Sequence, residues 1–188
     1  MSDVIDLLWG SSVLQSNEHF TARLDGAGHQ FEGVVVLPID GEPGHIDYRL
    51  ALDPGWRTRE FEATVGRGAE RTRLEIRADG SGQWHRDGAP LVELEGCLDI
   101  DLGWTPATNT LQIRRLGLAV GDRQTLDVAW LRFPELTLER VAQTYEHLGP
   151  TTWRYSAGGF SAVLEVDERG FVRRYGDDLW LADAGRSR

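Results

Sequence analysis

The chain has 188 residues, with 30 acidic and 20 basic side chains and a formal net charge of −10. This acidic balance argues against a general nucleic-acid binder, which needs a basic surface, and against attraction to an anionic membrane. A chain of this length can bury a sizeable core, and we expect a single domain over residues 1–188.

The cysteine count and the opening residues indicate which kinds of bond, site and cellular location to expect. The single cysteine, Cys97, excludes an internal disulfide and a cysteine-based zinc site, and we expect it in the core. The opening MSDVIDLLWGSSVLQ has no positively charged start and no long apolar run, and no other stretch approaches membrane-spanning length. We therefore expect a cytoplasmic protein with no stable membrane insertion.

Strict alternation of apolar and polar residues predicts strands in the first half of the chain. In HFTARLD, for example, Phe20, Ala22 and Leu24 share one face. Asp-Gly dipeptides, which suit two-residue hairpin turns, separate such runs. The alternating runs cover residues 19–25, 45–53 and 71–78, and ADGSGQW predicts a hairpin that joins residues 70–78 to 82–86.

The densest group of polar residues lies in GCLDIDLGWTPATNTLQIRRL. As a strand, CLDIDLG places Asp99 and Asp101 on one face, roughly 6.5–7 Å apart, where they fit a ligand contact, an arginine pair or, less well, a metal site. A further strand over LQIRRL places Arg114 and Arg115 on opposite faces. One arginine then lies on the buried face and needs a carboxylate partner, for which Asp99 and Asp101 are the candidates. A purely structural ion pair fits the same pattern.

The second half contains one clear strand and one ambiguous segment. TLDVAWLRF, residues 125–133, is apolar on both faces and predicts a central strand covered on both sides. PELTLERVAQTYEHLG, residues 134–149, fits a long strand or a helix, and its apolar stripe between proline and glycine slightly favours a helix. VDERGFV predicts a hairpin that joins residues 160–167 to 171–175.

About ten closely spaced strands with little helix predict one curved antiparallel sheet that forms a half-barrel or an open barrel. The concave side of such a sheet is a natural pocket. Trp84 and Trp104 stand near the polar stretch, and we expect them beside that pocket because aromatic faces stack on sugars and acyl chains. The sequence contains no P-loop and no paired-histidine metal motif, so no cofactor and no metal site are expected.

The polar stretch, residues 96–116, resembles the signature of a bacterial family named for glycolipid binding. The resemblance implies a curved antiparallel half-barrel similar to that of the bacterial lipoprotein carriers, which hold acyl chains in a concave face. The neighbouring blocks GSGQWHRDG, VAWLRFPEL, QTYEHLG and WRYSAGGFSAVLEVDERGFVRRYGDDLW are also similar to this family.

The leading hypothesis is therefore a protein that binds a glycolipid or similar amphiphilic small molecule on the concave face. Carboxylates and an amide would bond sugar hydroxyls, and an arginine would clamp a hydroxyl or a phosphate. The alternative is a hydrolase that attacks a glycoside or sugar-lipid through Asp99 and Asp101, although catalysis is the less favoured hypothesis. A third possibility is that the stretch merely holds the sheet together. The predicted ligand-binding residues are Asp99, Asp101, Asn109, Thr110, Arg114, Arg115, Trp84 and Trp104.

Overall fold

The computed structural model describes residues 3–177 and 179–182, so the first two residues of the opening stretch lie outside it. Fifteen strands form one sheet, with one short α-helix, α1, at Asn109–Leu116 between β9 and β10. The strands are β1 Asp3–Ser11, β2 Ser16–Asp25, β3 Gly28–Ile39, β4 Glu42–Leu52, β5 Thr58–Arg67, β6 Glu70–Ala78, β7 Trp84–Arg86, β8 Ala89–Pro90, β9 Ile100–Leu102, β10 Arg123–Leu131, β11 Leu138–Gly149, β12 Thr152–Ala157, β13 Phe160–Val166, β14 Val172–Tyr175 and β15 Trp180–Ala182.

The sheet is open, and its order follows two meanders joined at the chain ends. One meander runs from β8 back to β1, and the other runs from β15 back to β9. Strand β1 pairs with β15 through Trp9 and Ala182, which joins the two meanders. Neighbouring strands are antiparallel except β9 and β10, which are parallel. The prediction of a single curved, mainly antiparallel sheet with little helix is confirmed.

Period-two alternation places large apolar side chains on one face of this sheet, which we call the inner face. Phe20, Phe31 and Phe61 lie on it and are fully buried. The Tyr48 ring crosses the strand pair at Gly33, where an added Cβ would come within 2.2 Å of the ring. Glycine is thus required at this position because a side chain would displace a buried aromatic ring.

The predicted helix over residues 134–149 is wrong, because this segment forms strand β11. Residues 138–146 of β11 pair with β10 in continuous antiparallel register, from Leu138 opposite Leu131 to Glu146 opposite Arg123. The apolar stripe fits helical spacing, but the Thr, Val and Tyr content of the segment suits a strand, and tertiary pairing decides the outcome. The strand places Gln143 and Tyr145 on the inner face, where both are buried.

The predicted strand over LQIRRL is also wrong, because these residues belong to α1. Thr108 precedes the helix, and Gly117 ends it in the left-handed conformation with φ of 56°. Glycine suits this position because it has no Cβ to strain. The two arginines lie in the last turn, where cations favour the helix dipole. In a helix Leu111 and Arg115 stand one turn apart on one face, so Arg115 points inward.

Other predictions from the sequence are confirmed. The hairpin formed by β6 and β7 and that formed by β13 and β14 lie where the turn dipeptides predict them. Strand β10 lies between β9 and β11, with Val128 and Ala129 both fully buried. Cys97 is fully buried in the core, and burial raises the pKa of its thiol to about 11.

Candidate functional site on the inner face

Residues 103–118, which we call the plug, leave the sheet after β9 and cover the inner face. Trp104, Ala107 and Leu111 are fully buried within it. Its first residue, Gly103, donates its backbone N–H to the carbonyl of Leu131 at 3.0 Å. Beyond Gly103, the hydrogen bonds that join the plug to β11 and to the β13–β14 turn involve side chains. Polar residues of the stretch 96–116 therefore act at the contact between plug and sheet.

Asp99 and Arg115 form the ion pair predicted for this stretch. The Arg115 Nε lies 2.9 Å from Oδ1 and 3.2 Å from Oδ2 of the carboxylate, whose side chain is fully buried. Burial raises the pKa of Asp99, and the guanidinium of Arg115 opposes that shift. Arg114 points elsewhere, with its guanidinium carbon 5.3 Å from the centre of the Trp56 ring. One arginine of the pair, Arg115, thus meets one of the two carboxylates, as the sequence predicts, but from a helix.

Asp101 has its own partners. Its Oδ1 accepts a hydrogen bond from the Thr108 hydroxyl at 3.0 Å, and its Oδ2 accepts one from the Gln143 amide at 2.6 Å. Burial raises the pKa of Asp101, and these two bonds oppose the shift. Within the described residues, Asp99 and Asp101 share no hydrogen-bond partner. The glycoside hydrolase considered from the sequence would need both carboxylates to face the same glycosidic bond. Here each carboxylate instead binds a different set of groups within the protein.

Asn109 and Thr110 hold the first turn of α1. The Tyr145 hydroxyl donates to Asn109 Oδ1 at 2.9 Å, and the Asn109 amide donates to the carbonyl of Pro106 at 3.1 Å. The Thr110 hydroxyl donates to the carbonyl of Gly170 at 3.1 Å. Both side chains are therefore engaged with the protein itself.

Trp84 and Trp104 are both buried, but their indole N–H groups differ. The Trp84 Nε1 donates to the carbonyl of Cys97 at 2.8 Å. The Trp104 ring packs against Tyr48, Phe61 and Phe133. Within the described part of the chain, the Trp104 Nε1 is buried without a hydrogen-bond partner. Such an unpaired buried donor is uncommon and costs free energy.

Glu18 belongs to the same region but was missed at the sequence level. Its side chain is buried beside Tyr48, whose hydroxyl donates to Oε1 at 2.6 Å, while Oε2 has no hydrogen-bond partner among the described residues. Burial raises the pKa of Glu18 to about 7, and the hydroxyl groups of Thr105 and Tyr48 oppose that shift. The Thr105 hydroxyl thus lies near the carboxylate without meeting hydrogen-bond geometry to Oε2. Extending the alternation of Phe20 and Ala22 backwards by one step places Glu18 on the inner face, so the pattern held the signal.

The site thus consists of a polar contact between plug and sheet, with unpaired polar atoms beneath it. Comparison with protein families gives a match over residues 6–180 to the family described as "Putative glycolipid-binding". The chain belongs to this family. A comparison with curated proteins gives no match.

A solved relative has the same fold. The crystal structure at 1.80 Å resolution of a DUF1089 family protein from Pseudomonas aeruginosa is 36% identical to this chain. It matches with a TM-score of 0.78, and the match covers 85% of this chain and 89% of the other. Membership of a family named for glycolipid binding leaves the ligand site itself to be argued from geometry.

Within residues 3–177 and 179–182, no group of three or more His, Cys, Asp or Glu side chains is arranged to hold a metal ion. No helix in these ranges has the length and apolar character needed to span a membrane.

Proposed function

We propose that the protein binds an amphiphilic, sugar-bearing ligand on the inner face, in the space that helix α1 of the plug fills. The carrying observation is the pair of buried polar atoms without partners, Glu18 Oε2 and Trp104 Nε1, set among aromatic side chains. One atom accepts a hydrogen bond and the other donates one. A hydroxyl group does both, so a hydroxylated headgroup satisfies both atoms, whereas an acyl chain satisfies neither.

The apolar part of the ligand would replace helix α1 of the plug, while Trp104 stays beside Tyr48. Withdrawing α1 removes Leu111 and Ile113 from the core, each worth roughly 1.5–3 kcal/mol of burial. An acyl chain that enters the same space recovers about 0.8 kcal/mol for each buried CH₂ group. Displacement is therefore favoured by a ligand with a long apolar chain and is costly for a free sugar.

Three of the predicted ligand-binding residues, Asp99, Asp101 and Arg115, would take part once α1 moves, as would Tyr145. Asp101 then loses the hydroxyl of Thr108, and Tyr145 loses Asn109. Both groups face the inner side with unused hydrogen-bonding capacity, which sugar hydroxyls supply. Asp99 loses Arg115, whose guanidinium becomes available to a headgroup. These contacts remain predictions until a ligand is seen.

Isothermal titration with dodecyl maltoside, below its micelle concentration, tests this function. The matched probes are a dodecyl polyoxyethylene ether, which has the tail without the sugar, and maltose, which has the sugar without the tail. We expect dodecyl maltoside to bind on the order of tenfold more tightly than either probe, since only it supplies both parts.

Variants assign that binding to the inner face. Trp104→Phe removes the donor and keeps an aromatic ring, and Glu18→Met removes the acceptor at similar length. Each should reduce the preference for the sugar-bearing detergent, while Glu146→Met on the opposite face should not. Equal binding of the sugar-free ether by the native protein would exclude recognition of the sugar.

A further inference from the structure

A groove of about 660 Å³ crosses the face of the sheet opposite the plug, which we call the outer face. It spans strands β2 to β6, and none of the ligand-binding residues predicted from the sequence lines it. A smaller cavity of about 230 Å³ shares Glu32, Arg49 and Glu62 with it. The groove is therefore a separate feature from the inner-face site. Its polar side chains are those of His19, Thr21, Glu32, Asp47, Arg49, Glu62, Thr64, Arg73, Glu75 and Asp87.

Strand register arranges these side chains in rows across the sheet. In one row, Thr21 stands opposite Glu32, which stands opposite Arg49, which stands opposite Glu62. Acceptors and a donor thus alternate at the spacing between strands, about 4.8 Å. The adjacent row contains Val34, which is 46% exposed and adds an apolar surface within the groove.

Three of the five carboxylates in the groove have an arginine neighbour, and a fourth, Asp47, lies beside a histidine that is cationic only when protonated. Glu32 lies 3.5 Å from Arg49, and Glu75 lies 2.9 Å from Arg77. Asp47 and Asp87 lie 3.8 Å from His45 and Arg86, respectively. The apparent excess of negative charge in the groove is therefore largely compensated.

The fifth carboxylate, Glu62, and the guanidinium of Arg73 differ from these groups. Within the described residues, neither side chain forms an ion pair or a hydrogen bond, although both line the groove. They lie diagonally on β5 and β6, because Glu62 is opposite Glu75 and Thr64 is opposite Arg73. Diagonal neighbours of this kind stand about 7–8 Å apart, within reach of long side chains. The groove thus presents one unengaged acceptor beside one unengaged donor.

We propose that this groove binds a neutral oligosaccharide. A phosphate only accepts hydrogen bonds and would meet Glu62 unfavourably, and a polyamine only donates and would meet Arg73 unfavourably. Sugar hydroxyls donate to the carboxylate and accept from the guanidinium, and the C–H face of a sugar packs on Val34. This inference stands independently of the inner-face proposal.

Isothermal titration with neutral tetrasaccharides (maltotetraose, cellotetraose and chitotetraose) tests the assignment. We expect at least one to bind, and Glu62→Ala and Arg73→Ala to weaken it on the order of tenfold each. The matched controls are Glu146→Ala and Arg154→Ala, which remove an ion pair on the outer face of β11 and β12. The controls and the inner-face variant Glu18→Met should leave tetrasaccharide binding unchanged.

Three outcomes would overturn the proposal. One is the failure of all three tetrasaccharides to bind the native, folded protein. Another is tetrasaccharide binding that survives both Glu62→Ala and Arg73→Ala. The third is binding of spermidine or of inorganic phosphate, but of no tetrasaccharide, that is lost in those variants, since the groove would then select charge.

Discussion

The guanidinium of Arg115 lies against the carboxylate of Asp99, with Nε 2.9 Å from Oδ1, and so ties the end of α1 to the residue before β9. The Asp99 side chain is fully buried and that of Arg115 is 18% exposed. Removing one partner leaves a buried charge without compensation, which costs far more than the pair itself contributes.

Asp99→Ala and Arg115→Ala should each destabilise the protein. Loss of one partner of a buried pair typically lowers the free energy of unfolding by about 3–5 kcal/mol. We expect Arg115→Ala to reach that range because it leaves the buried carboxylate of Asp99 without a partner. Urea unfolding measures the loss of stability. The control is Arg169→Ala, whose pair with Asp3 is exposed and should be worth no more than about 1 kcal/mol. Equal effects of Arg115→Ala and the control would show that the pair is not buried in solution.

Glu18 should make stability depend on pH. Its pKa is raised from 4.5 to about 7 by burial, so the folded protein holds this proton more tightly than the unfolded chain. Its contribution is fully present below pH 4.5 and is lost as the pH rises through about 7. The loss is on the order of 3 kcal/mol, at about 1.4 kcal/mol for each pKa unit.

Glu18→Gln tests the assignment, because glutamine does not titrate. The free energy of unfolding, measured from pH 4 to pH 8, should decline less steeply with pH in this variant than in the native protein. The raised pKa values of Asp99 and Asp101 act in the same direction, so the comparison with the variant isolates Glu18. Parallel pH profiles for the two proteins would contradict the assignment.

Tyr145→Phe should loosen the plug without disturbing the sheet. The substitution keeps the ring but removes the hydroxyl that donates to Asn109 Oδ1, which leaves a buried acceptor unpaired. Such a loss costs about 1–3 kcal/mol. Hydrogen exchange of residues 103–118 should rise, whereas exchange in β3 and β4 should not. Uniform changes across all strands would instead indicate global destabilisation.

Gly33→Ala should be poorly tolerated. The new Cβ would lie 2.2 Å from the ring of Tyr48, which must then move away from Glu18. Forced displacement of a packed core side chain costs about 1–3 kcal/mol. Gly26→Ala is the control, because nothing lies within 4 Å of the position of its Cβ. The melting temperature of Gly33→Ala should be lower than that of Gly26→Ala. Similar melting temperatures would argue against close packing of the Tyr48 ring over Gly33.

Much of the fold follows from the sequence because each strand with one buried face displays it as alternation. The two wrong secondary-structure predictions arise where the spacing of apolar residues favours the wrong element. In LQIRRL, the alternation of Leu111 and Ile113 fits a strand, because residues two apart lie on different sides of a helix. Both are nevertheless buried in α1 because residues 109–113 are buried on every side of the helix, and Gly117 alone marks the helix end. In residues 134–149, the apolar residues have helical spacing by coincidence, and pairing with β10 makes the segment a strand.

The site likewise contains features that the sequence predicts and features that it does not. The ion pair of Asp99 was predictable because a buried guanidinium requires a carboxylate, whatever element carries it. The alternation places Glu18 on the inner face, but its bond to Tyr48 and its proximity to Thr105 join residues distant in sequence and exist only in the folded chain. The outer groove depends on register across five strands, which no single stretch displays. The cytoplasmic location stays a prediction, and cell fractionation of the host tests it.

Hydrogen exchange of the plug in the presence of ligand tests the central claim most directly. Exchange of residues 103–118 is measured with dodecyl maltoside and with the sugar-free dodecyl ether, each below its micelle concentration. If the ligand takes the place of helix α1, dodecyl maltoside should speed exchange in 103–118, most of all in α1, and leave β3 and β4 protected. Saturating binding of dodecyl maltoside with unchanged exchange in 103–118 would contradict the account.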